Sequence, residues 1–315
     1  MIIQHNVPIY SICWLNHAKG GMIGTYYEPE NKKELTDLCR TLYKSGKSFD
    51  VIGHTSNIYY LPDYNVETVV STRRVRDVVY NANNIIADCG SNVKVLAHAM
   101  VNEGVKGFEG LIDLPGTVAA AVYGNASCFG CSINDMLVSI ELLEPNGDVV
   151  IINKEELKFS RRSSAMKRGE KKGVILSVTL RKELGDEANI RRLAERNHER
   201  RVLTQPTPKD NLGSIYASTG GYSMRSIGFI MLANIYCALL KLTGKSAKKI
   251  KNAKKNAILS MMGAKDLIPY VYGWNRYIWK DESSHTLFWK FHKIHQKLFN
   301  NSDFEIEIRG KIETI

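Results

Sequence analysis

The chain has 315 residues, of which 44% are hydrophobic and 24% are charged, and its formal net charge is +11. These values are typical of a soluble globular protein with room for two domains or three subdomains. Six cysteines over this length do not make a disulfide scaffold, so we expect most of them to be reduced and buried. The first ten residues show no secretory signal, and the longest apolar stretch, residues 227–240, is short for a bilayer span. We therefore expect a cytoplasmic protein.

The first third of the chain alternates strand-like and helix-like segments. Strands are predicted over 24–29, 48–54 and 66–72, and an amphipathic pattern that ends at a glycine predicts a helix over 31–46. A second helix is predicted over 92–104. Its buried face is expected to contain Val95, Leu96, Ala99 and Met100.

The middle of the chain predicts a hairpin and then a change of pattern. Two apolar strands flank a Pro-Asn-Gly turn over 139–153, and a further strand over 173–184 leads into a charged helix over 185–201. We place a boundary near residue 183, and residues 225–300 are mostly helical and aromatic-rich. The fold class is therefore α+β.

A lysine-rich segment follows the apolar stretch. Residues 245–256 hold six lysines without interleaved aromatic side chains, which stacking on nucleic-acid bases would require. We favour a solvated helix face. Phosphorylated small molecules and an anionic membrane surface remain compatible partners, whereas nucleic acid is a distant alternative.

Three loops in the first half expose their backbone. The segment Gly53-His54-Thr55-Ser56-Asn57 follows a strand and is suited to phosphate oxygens, although a plain turn is an equal alternative. A Gly-Gly pair lies upstream at 20–21, and residues 113–130 crowd small side chains after a Pro-Gly pair. Together the loops favour a large, flat, phosphate-bearing ligand such as FAD. The glycine spacing does not match the Rossmann fingerprint.

The sequence resembles the UDP-N-acetylenolpyruvoylglucosamine reductase family. The resemblance extends over nearly the whole chain and is most specific in "GFEGLIDLPGTVAAAVYGNASCFG" (107–130). Supporting matches, in chain order, are "GHTSN" (53–57), "FSRRSSAMK" (159–167), "QPTPKDNLGSIY" (205–216) and "FEIEIRG" (304–310).

The resemblance implies a two-subdomain FAD-binding unit of the vanillyl-alcohol-oxidase (PCMH) type followed by an α+β substrate domain. The expected divisions are 1–69, 70–183 and 184–315, with about the last 12 residues returning to the active site. The implied FAD contacts are Gly53, His54, Thr55, Ser56, Asn57, Ile58, Pro115, Gly116, Thr117, Ala120, Ala121, Asn125, Ala126, Gly130, Ile133 and Val178. The implied substrate contacts are Tyr123, Arg161, Lys167, Gln205 and Arg225.

The resemblance also implies the chemistry. Hydride passes from NADPH to FAD and then to the enolpyruvyl ether of a nucleotide sugar, which becomes a lactyl ether. Arg162 corresponds to the arginine that stabilises charge on the substrate carboxylate, Glu307 to the glutamate that assists it, and Ser214 to the proton donor. We expect a monomer whose partner is a nucleotide-sugar substrate. NADH instead of NADPH remains open.

Several positions depart from the family pattern. His54 and Thr55 stand within a loop that is usually glycine-rich, Arg161 replaces an aromatic residue, and "IYAST" (215–219) replaces a Lys-Asn-Pro segment. Residues 227–256 have no counterpart in the family. We therefore expect a specialised paralogue that acts on an enolpyruvyl sugar nucleotide, for instance in surface polysaccharide synthesis. A flavin oxidase of the same fold and a non-catalytic FAD-binding scaffold remain alternatives.

Two further patterns have ordinary explanations. Cys128 and Cys131 have the spacing of redox pairs and zinc sites, but no second pair exists, so we favour two small buried residues. His285, His292 and His295 lack a carboxylate or cysteine at ligand spacing. They predict an amphipathic packing helix.

Overall fold

A computed structural model describes residues 1–311, and its first elements form a mixed sheet. The elements are β1 (Ile2–Pro8), β2 (Met22–Glu28), α1 (Lys32–Lys44), β3 (Asp50–Ile52), β4 (Ile58–Tyr60) and β5 (Val66–Ser71). Strand order in the sheet is β1-β2-β5-β3, with an antiparallel β1–β2 pair and parallel pairing of β5 with both β2 and β3. The predicted strands at 24–29, 48–54 and 66–72 and the helix at 31–46 are confirmed.

The first helix connects this sheet to the next part of the chain. The Asn31 side chain caps α1 by accepting a hydrogen bond from the Glu34 N–H at 2.9 Å. Its apolar face, formed by Leu35, Cys39 and Leu42, packs into the core of the second sheet. This helix therefore packs between the first sheet, from which the chain enters it, and the second.

The second sheet is antiparallel throughout. This part of the chain contains, in order, β6 (Val78–Tyr80), β7 (Asn84–Asp88), α2 (Val93–Asn102), α3 (Val118–Tyr123), β8 (Ser127–Cys128), β9 (Cys131–Ser132), α4 (Ile133–Met136), β10 (Leu137–Leu143), β11 (Val149–Asn153) and β12 (Val174–Arg181). Within residues 1–311, the short strands β8 and β9 pair only with each other. Strand order is β11-β10-β12-β7-β6. The predicted hairpin at 139–153 is β10–β11, and the predicted strand at 173–184 is β12.

The predicted buried face of the second helix is only half right: Leu96 and Met100 are buried, but the other two positions are not. Val95 is 67% exposed, and Ala99 is only partly buried. The buried stripe of α2 is instead Val93, Leu96, Ala97, Met100 and Val101. This stripe follows the i, i+3, i+4, i+7, i+8 spacing and offers five apolar side chains to the sheet instead of four.

The last part of the chain is helical around an aromatic core. It contains α5 (Glu187–Thr204), α6 (Ile227–Lys241), α7 (Ala247–Met261), α8 (Ser283–Leu298) and β13 (Glu307–Arg309). Tyr59 of β4 packs in this core with Trp279 and Phe288, at ring-centroid distances of 5.3 and 5.0 Å. β13 pairs in parallel with β4, so the end of the described chain returns to the loop that precedes β4. Residues 312–315, which complete the predicted return, lie outside the described residues.

The apolar and lysine-rich segments form two packed helices. Lys245, Lys249 and Lys251 are exposed, as predicted for a solvated face. Lys255 differs, because it is partly buried and donates to the Val271 carbonyl. By length and composition, the segment Met224–Lys241 is long and apolar enough to cross a membrane, and 17% of it is buried.

A buried histidine in the C-terminal core predicts a pH dependence of stability. His295 of α8 has no exposed surface, and its ring stacks on Tyr216 at a centroid distance of 3.7 Å. Burial, with the neighbouring His292, lowers the pKa of His295 to about 3. Because an unfolded histidine has a pKa of about 6.5, the stabilising effect of the neutral ring is complete above that pH and is lost as the pH falls toward 3.

We expect the unfolding free energy of the wild type to fall with pH more steeply than that of His295→Gln. The difference in slope should be about 1.4 kcal/mol per pH unit between pH 6 and 4. Urea titrations at four pH values, followed by tryptophan fluorescence, measure it. His5→Gln, at an exposed position, is the matched control and should keep the wild-type slope. Equal slopes for His295→Gln and the wild type would contradict the prediction.

Candidate functional site

The loop between β3 and β4 presents consecutive backbone donors. Within residues 1–311, no main-chain N–H group of residues 53–57 donates to a main-chain oxygen. Thr55 has a φ of 55°, and its hydroxyl accepts a hydrogen bond from the Trp14 N–H at 2.7 Å. Burial and the neighbouring Arg73 lower the pKa of His54, which favours its neutral form. Successive free N–H groups form a concave anion site, so this loop is suited to phosphate oxygens.

The loop at residues 115–117 packs against the loop at residues 53–57 through glycines that have no side chain. A methyl group on Gly53 would lie 2.6 Å from the Thr117 Oγ1, and one on Gly116 would lie 3.3 Å from the Ser56 Oγ. Gly116 has a φ of 123°, a conformation that glycine adopts without strain. Thr117 caps α3 by accepting from the Ala120 N–H at 3.4 Å. The two loops therefore lie side by side only because glycines occupy the contact.

The small-residue segment forms the short helix α3 and the hairpin β8–β9. Ala120 is exposed, Pro115 and Ala126 are partly buried, and Gly130 has open space above its Cα. Asn125 is buried and ties this segment to the next, because its Nδ2 donates to the Ser160 carbonyl at 2.7 Å. These positions belong to the same segment as the loop at Gly116 and Thr117.

Three of the predicted FAD contacts lie in the core instead. Ala121, Ile133 and Val178 are 6%, 1% and 0% exposed. Val178 belongs to the central strand β12, which has neighbours on both sides, so its surface is already covered by protein. The FAD contacts assigned to these three positions stay a prediction that the buried side chains do not support.

A tight turn positions the predicted catalytic arginine. Ser160 and Ser163 pair through two backbone hydrogen bonds of 3.0 and 3.1 Å, with Arg161 and Arg162 between them. Arg162 has a φ of 56°, and its Nε lies 3.0 Å from the Glu305 Oε1. Burial raises the pKa of Glu305, against the opposing effects of Arg162, Lys167 and Arg161. The turn thus directs one arginine onto a mostly buried carboxylate.

Arg162 and Ser214 line one cavity of about 450 Å³. The cavity is lined by Ser127, Cys128, Phe129, Gly130, Cys131, Ser132, Arg162, Gln205, Ser214 and Arg276. Ser214 begins an extended segment that the C-terminal residues cover, since the Glu305 N–H donates to the Ile215 carbonyl at 2.8 Å. The structure therefore brings Ser214, Arg162 and Glu305 to one place.

Glu307 lies beside this group with a different partner. Its Oε2 is 3.1 Å from the Arg309 Nη2, and its N–H donates to the Asn57 carbonyl at 2.9 Å. Burial, followed by the charge of Glu307, raises the pKa of the Tyr123 hydroxyl, so the two side chains are neighbours. Glu305 escaped sequence analysis, although its i, i+2 relation to Glu307 places both on one side of an extended chain.

The other predicted substrate contacts divide into two groups. Gln205 lines the cavity, Lys167 lies close enough to affect Glu305, and Arg161 donates to the Ala217 carbonyl at 3.2 Å beside Ser214. Arg225 is exposed next to α6 and does not belong to the cavity lining. Its assignment as a substrate contact is not supported by its position.

Sequence analysis missed two arginines here: Arg276 lines the cavity, and Arg201 lies near it. Asn275 clamps Tyr216, accepting from its N–H at 2.6 Å and donating to its carbonyl at 2.9 Å, and this places Arg276 beside Ser214. Burial and then the charge of Arg201 act to lower the pKa of Arg276. Within the described chain, the buried Nε atoms of Arg201 and Arg276 have no hydrogen-bond partner, and neither guanidinium pairs with a carboxylate. The Arg201 Nη2 donates to the Cys128 Sγ at 3.1 Å. Two neighbouring guanidinium groups without a carboxylate partner in the described chain indicate an anion site.

The cysteine pair borders the same cavity. Cys128 and Cys131 face each other across the hairpin β8–β9, both as free thiols. They are partly buried, not fully as predicted, and burial raises the pKa of Cys131 to about 11. Among residues 1–311, no group of three or more His, Cys, Asp or Glu side chains could hold a metal ion. Both thiols are part of the cavity lining.

Comparison with known proteins agrees with this architecture. Residues 24–153, which include both backbone-exposing loops, match the family model described as FAD binding domain. The crystal structure of UDP-N-acetylenolpyruvylglucosamine reductase from Thermus caldophilus superposes with a TM-score of 0.67 at 19% identity, covering 98% of this chain and 100% of that one. This likeness shows the fold, a two-part FAD-binding unit followed by a third α+β part.

Curated relatives carry the same name. The UDP-N-acetylenolpyruvoylglucosamine reductase of Caldanaerobacter subterraneus subsp. tengcongensis is 27% identical over 203 residues, which is 64% of this chain and 67% of that protein. The protein of this name from Fervidobacterium nodosum is 29% identical over 202 residues, or 64% of this chain and 65% of that protein. The match thus spans about two thirds of the relatives' length. In sequence the chain is thus similar to UDP-N-acetylenolpyruvoylglucosamine reductases, and it shares the fold of one of them.

Proposed function

We propose that this protein is an FAD-dependent reductase that converts the enolpyruvyl ether of a nucleotide sugar to a lactyl ether, with NADPH as the hydride donor. The substrate is UDP-N-acetylglucosamine enolpyruvate or a close relative. The observation that carries the proposal is that Arg162 and Ser214 line one cavity, with Glu305 held against Arg162, in a chain that also has a pair of phosphate-suited loops. The prediction of a cytoplasmic monomer accompanies this proposal.

The residues present fit FAD. The free N–H groups of residues 53–57 and the bare contact between Gly53 and Thr117 would hold its pyrophosphate. Gly130, with open space above it, leaves room for a flat ring at the edge of the cavity. When bound, FAD supplies the hydride chemistry, accepting a hydride from NADPH and delivering it to the enolpyruvyl double bond.

Arg162, oriented by Glu305, would stabilise the negative charge on the substrate carboxylate. Negative charge builds on that carboxylate as hydride adds to the double bond, and a fixed guanidinium lowers the barrier because its attraction grows with the charge. The 3.0 Å contact to Glu305 orients the Arg162 Nε and leaves the other guanidinium nitrogens toward the cavity that Arg162 lines. Glu307, held by Arg309, is the second carboxylate of this group.

Ser214 would donate the proton that completes the reaction. Hydride adds to one carbon of the double bond and a proton to the other, so a hydroxyl at the cavity wall is needed. Gly213 precedes it with a φ of 79° and open space above its Cα, which gives substrate close access to Ser214. Arg276, one of the two unpaired guanidinium groups, would hold the substrate diphosphate across the same cavity.

The competing functions differ in what they consume. An oxidase would use oxygen and reduce no enolpyruvyl ether, and a scaffold would turn over neither. We expect anaerobic incubation with NADPH and UDP-N-acetylglucosamine enolpyruvate to yield a product two mass units heavier. Mass spectrometry detects that product. Oxygen consumption without the heavier product would establish the oxidase. If neither oxygen consumption nor product is seen, the protein is a scaffold, unless NADPH still reduces the bound flavin, which would indicate a different sugar substrate.

The loop contact predicts an effect on cofactor retention. Gly53→Ala places a methyl group 2.6 Å from the Thr117 Oγ1, so the loops must separate and the phosphate site must widen. We expect the purified variant to retain at least about 10-fold less FAD, which corresponds to the loss of one charge-assisted hydrogen bond. The ratio of absorbance at 450 and 280 nm measures retention. Gly228→Ala is the matched control, because nothing lies within 4 Å of that site in the described chain. Full retention by Gly53→Ala would contradict the assignment of the loops.

A further inference from the structure

The hairpin of α6 and α7 has one apolar face that the protein leaves uncovered. Ser226, Ala233 and Cys237 form the buried stripe of α6, and the Cys237 Sγ contacts the Ile250 carbonyl of α7 at 3.7 Å. At 100° per residue, the opposite side of α6 and its two flanks carry mainly large apolar side chains, interrupted by Gly228, Asn234 and Ala238. These exposed residues are Met224, Ile227, Met231, Leu232, Ile235, Tyr236, Leu239 and Leu242.

The exposure of this face is too great for ordinary surface. Leu232, Ile235 and Leu239 are 58%, 59% and 60% exposed on three successive turns, and Leu242 at the tip is 85% exposed. Isolated apolar side chains are common on protein surfaces, but eight large exposed ones along one helix and its two ends mark a contact with something outside the chain.

The charge around this face identifies its partner. Residues 211–265 contain no aspartate or glutamate. The same segment carries nine cationic side chains, namely Arg225, Lys241, Lys245, Lys248, Lys249, Lys251, Lys254, Lys255 and Lys265. Nine positive charges against a net charge of +11 for the whole chain make this segment the main source of its basicity. An apolar stripe rimmed by lysines complements a surface that is apolar inside and anionic outside.

We infer that the α6–α7 hairpin docks this protein on an anionic lipid bilayer. The outer face of α6 lies at the boundary of headgroups and acyl chains, and the lysines at the tip and on α7 contact lipid phosphates. A second copy of the chain fits less well, since it would bring two acid-free cationic segments together. Spanning fits less well too, because Ala233 and Cys237 of α6 are buried against the rest of the protein, whereas lipid would have to surround a single spanning helix. This inference is independent of the proposed reaction.

Co-sedimentation of the full chain with vesicles tests the inference. We expect at least 10-fold more protein bound to vesicles of phosphatidylcholine with 30% phosphatidylglycerol than to phosphatidylcholine alone, and loss of most binding at 0.5 M NaCl. The triple variants Leu232→Ser/Ile235→Ser/Leu239→Ser and Lys245→Gln/Lys249→Gln/Lys251→Gln should each lose at least 10-fold. The matched control is Lys33→Gln/Lys44→Gln/Lys47→Gln, which removes the same charge from exposed positions on and just after α1 and should bind like the wild type.

Circular dichroism of each variant verifies folding, and the serine variant replaces only exposed side chains. Three outcomes would overturn the inference: no sedimentation with anionic vesicles, equal binding by wild type and both hairpin variants, or binding that resists sodium carbonate as a spanning helix does. A dimer by light scattering that only the serine variant disrupts, without vesicle binding, would assign the face to a second copy instead.

Discussion

Ser214→Ala is expected to lower turnover of the enolpyruvyl nucleotide sugar by at least about 100-fold while leaving reduction of the bound flavin by NADPH unchanged. Ser214 lines the cavity, and the family resemblance assigns its hydroxyl as the proton donor. The proton is needed only in the second half of the reaction, when the substrate is reduced. Stopped-flow absorbance at 450 nm, without oxygen, separates the two halves.

Ser218→Ala is the matched control for this prediction. Ser218 lies four residues further along the same segment and accepts a hydrogen bond from the Gly220 N–H at 3.3 Å, outside the cavity lining. It should keep wild-type rates in both halves. If Ser214→Ala reoxidises with substrate as fast as Ser218→Ala, the proton comes from elsewhere and the role assigned to Ser214 is wrong.

Arg276→Met is expected to raise the KM for the nucleotide sugar by about 10- to 100-fold with a much smaller change in kcat. The guanidinium would contact the diphosphate, which takes no part in bond changes, so its loss affects binding equally in the ground and transition states. A second effect has the opposite sign. Because the buried Nε has no partner in the described chain, removing the charge should raise the melting temperature of the free protein.

These two signs distinguish a binding role from a structural one. Steady-state rates measure the KM, and differential scanning fluorimetry measures the melting temperature with and without UDP. The stabilisation by UDP should disappear in Arg276→Met. Arg225→Met is the control, since Arg225 is exposed and outside the cavity lining. We expect its KM to stay within about 2-fold of the wild type, as for a surface substitution. A lower melting temperature together with an unchanged KM for Arg276→Met would show that Arg276 only packs.

Local patterns were sufficient to predict the framework. Alternation and capping predicted β2, α1, β3, β5 and the β10–β11 hairpin, and small residues predicted the loops at 53–57 and 115–117. These signals are local because backbone geometry and burial of one face determine them within a few residues.

The composition of the cavity was beyond such patterns. Arg276 lines the cavity from the loop before α8. Arg201 of α5 and Glu305 of the C-terminal segment lie next to its lining residues, and only tertiary packing brings these groups together. Val178 shows the opposite case, because this strand residue of a family motif is enclosed by its neighbours. Sequence periodicity assigns a residue to a face but does not show what covers that face.

The most direct test of the central claim is the visible spectrum of the purified protein through one anaerobic cycle. We predict a yellow protein whose 450 nm band is bleached by NADPH and restored, without oxygen, by UDP-N-acetylglucosamine enolpyruvate or the cognate enolpyruvyl sugar. A protein that stays colourless after incubation with FAD, or whose band returns only when air is admitted, would contradict the claim.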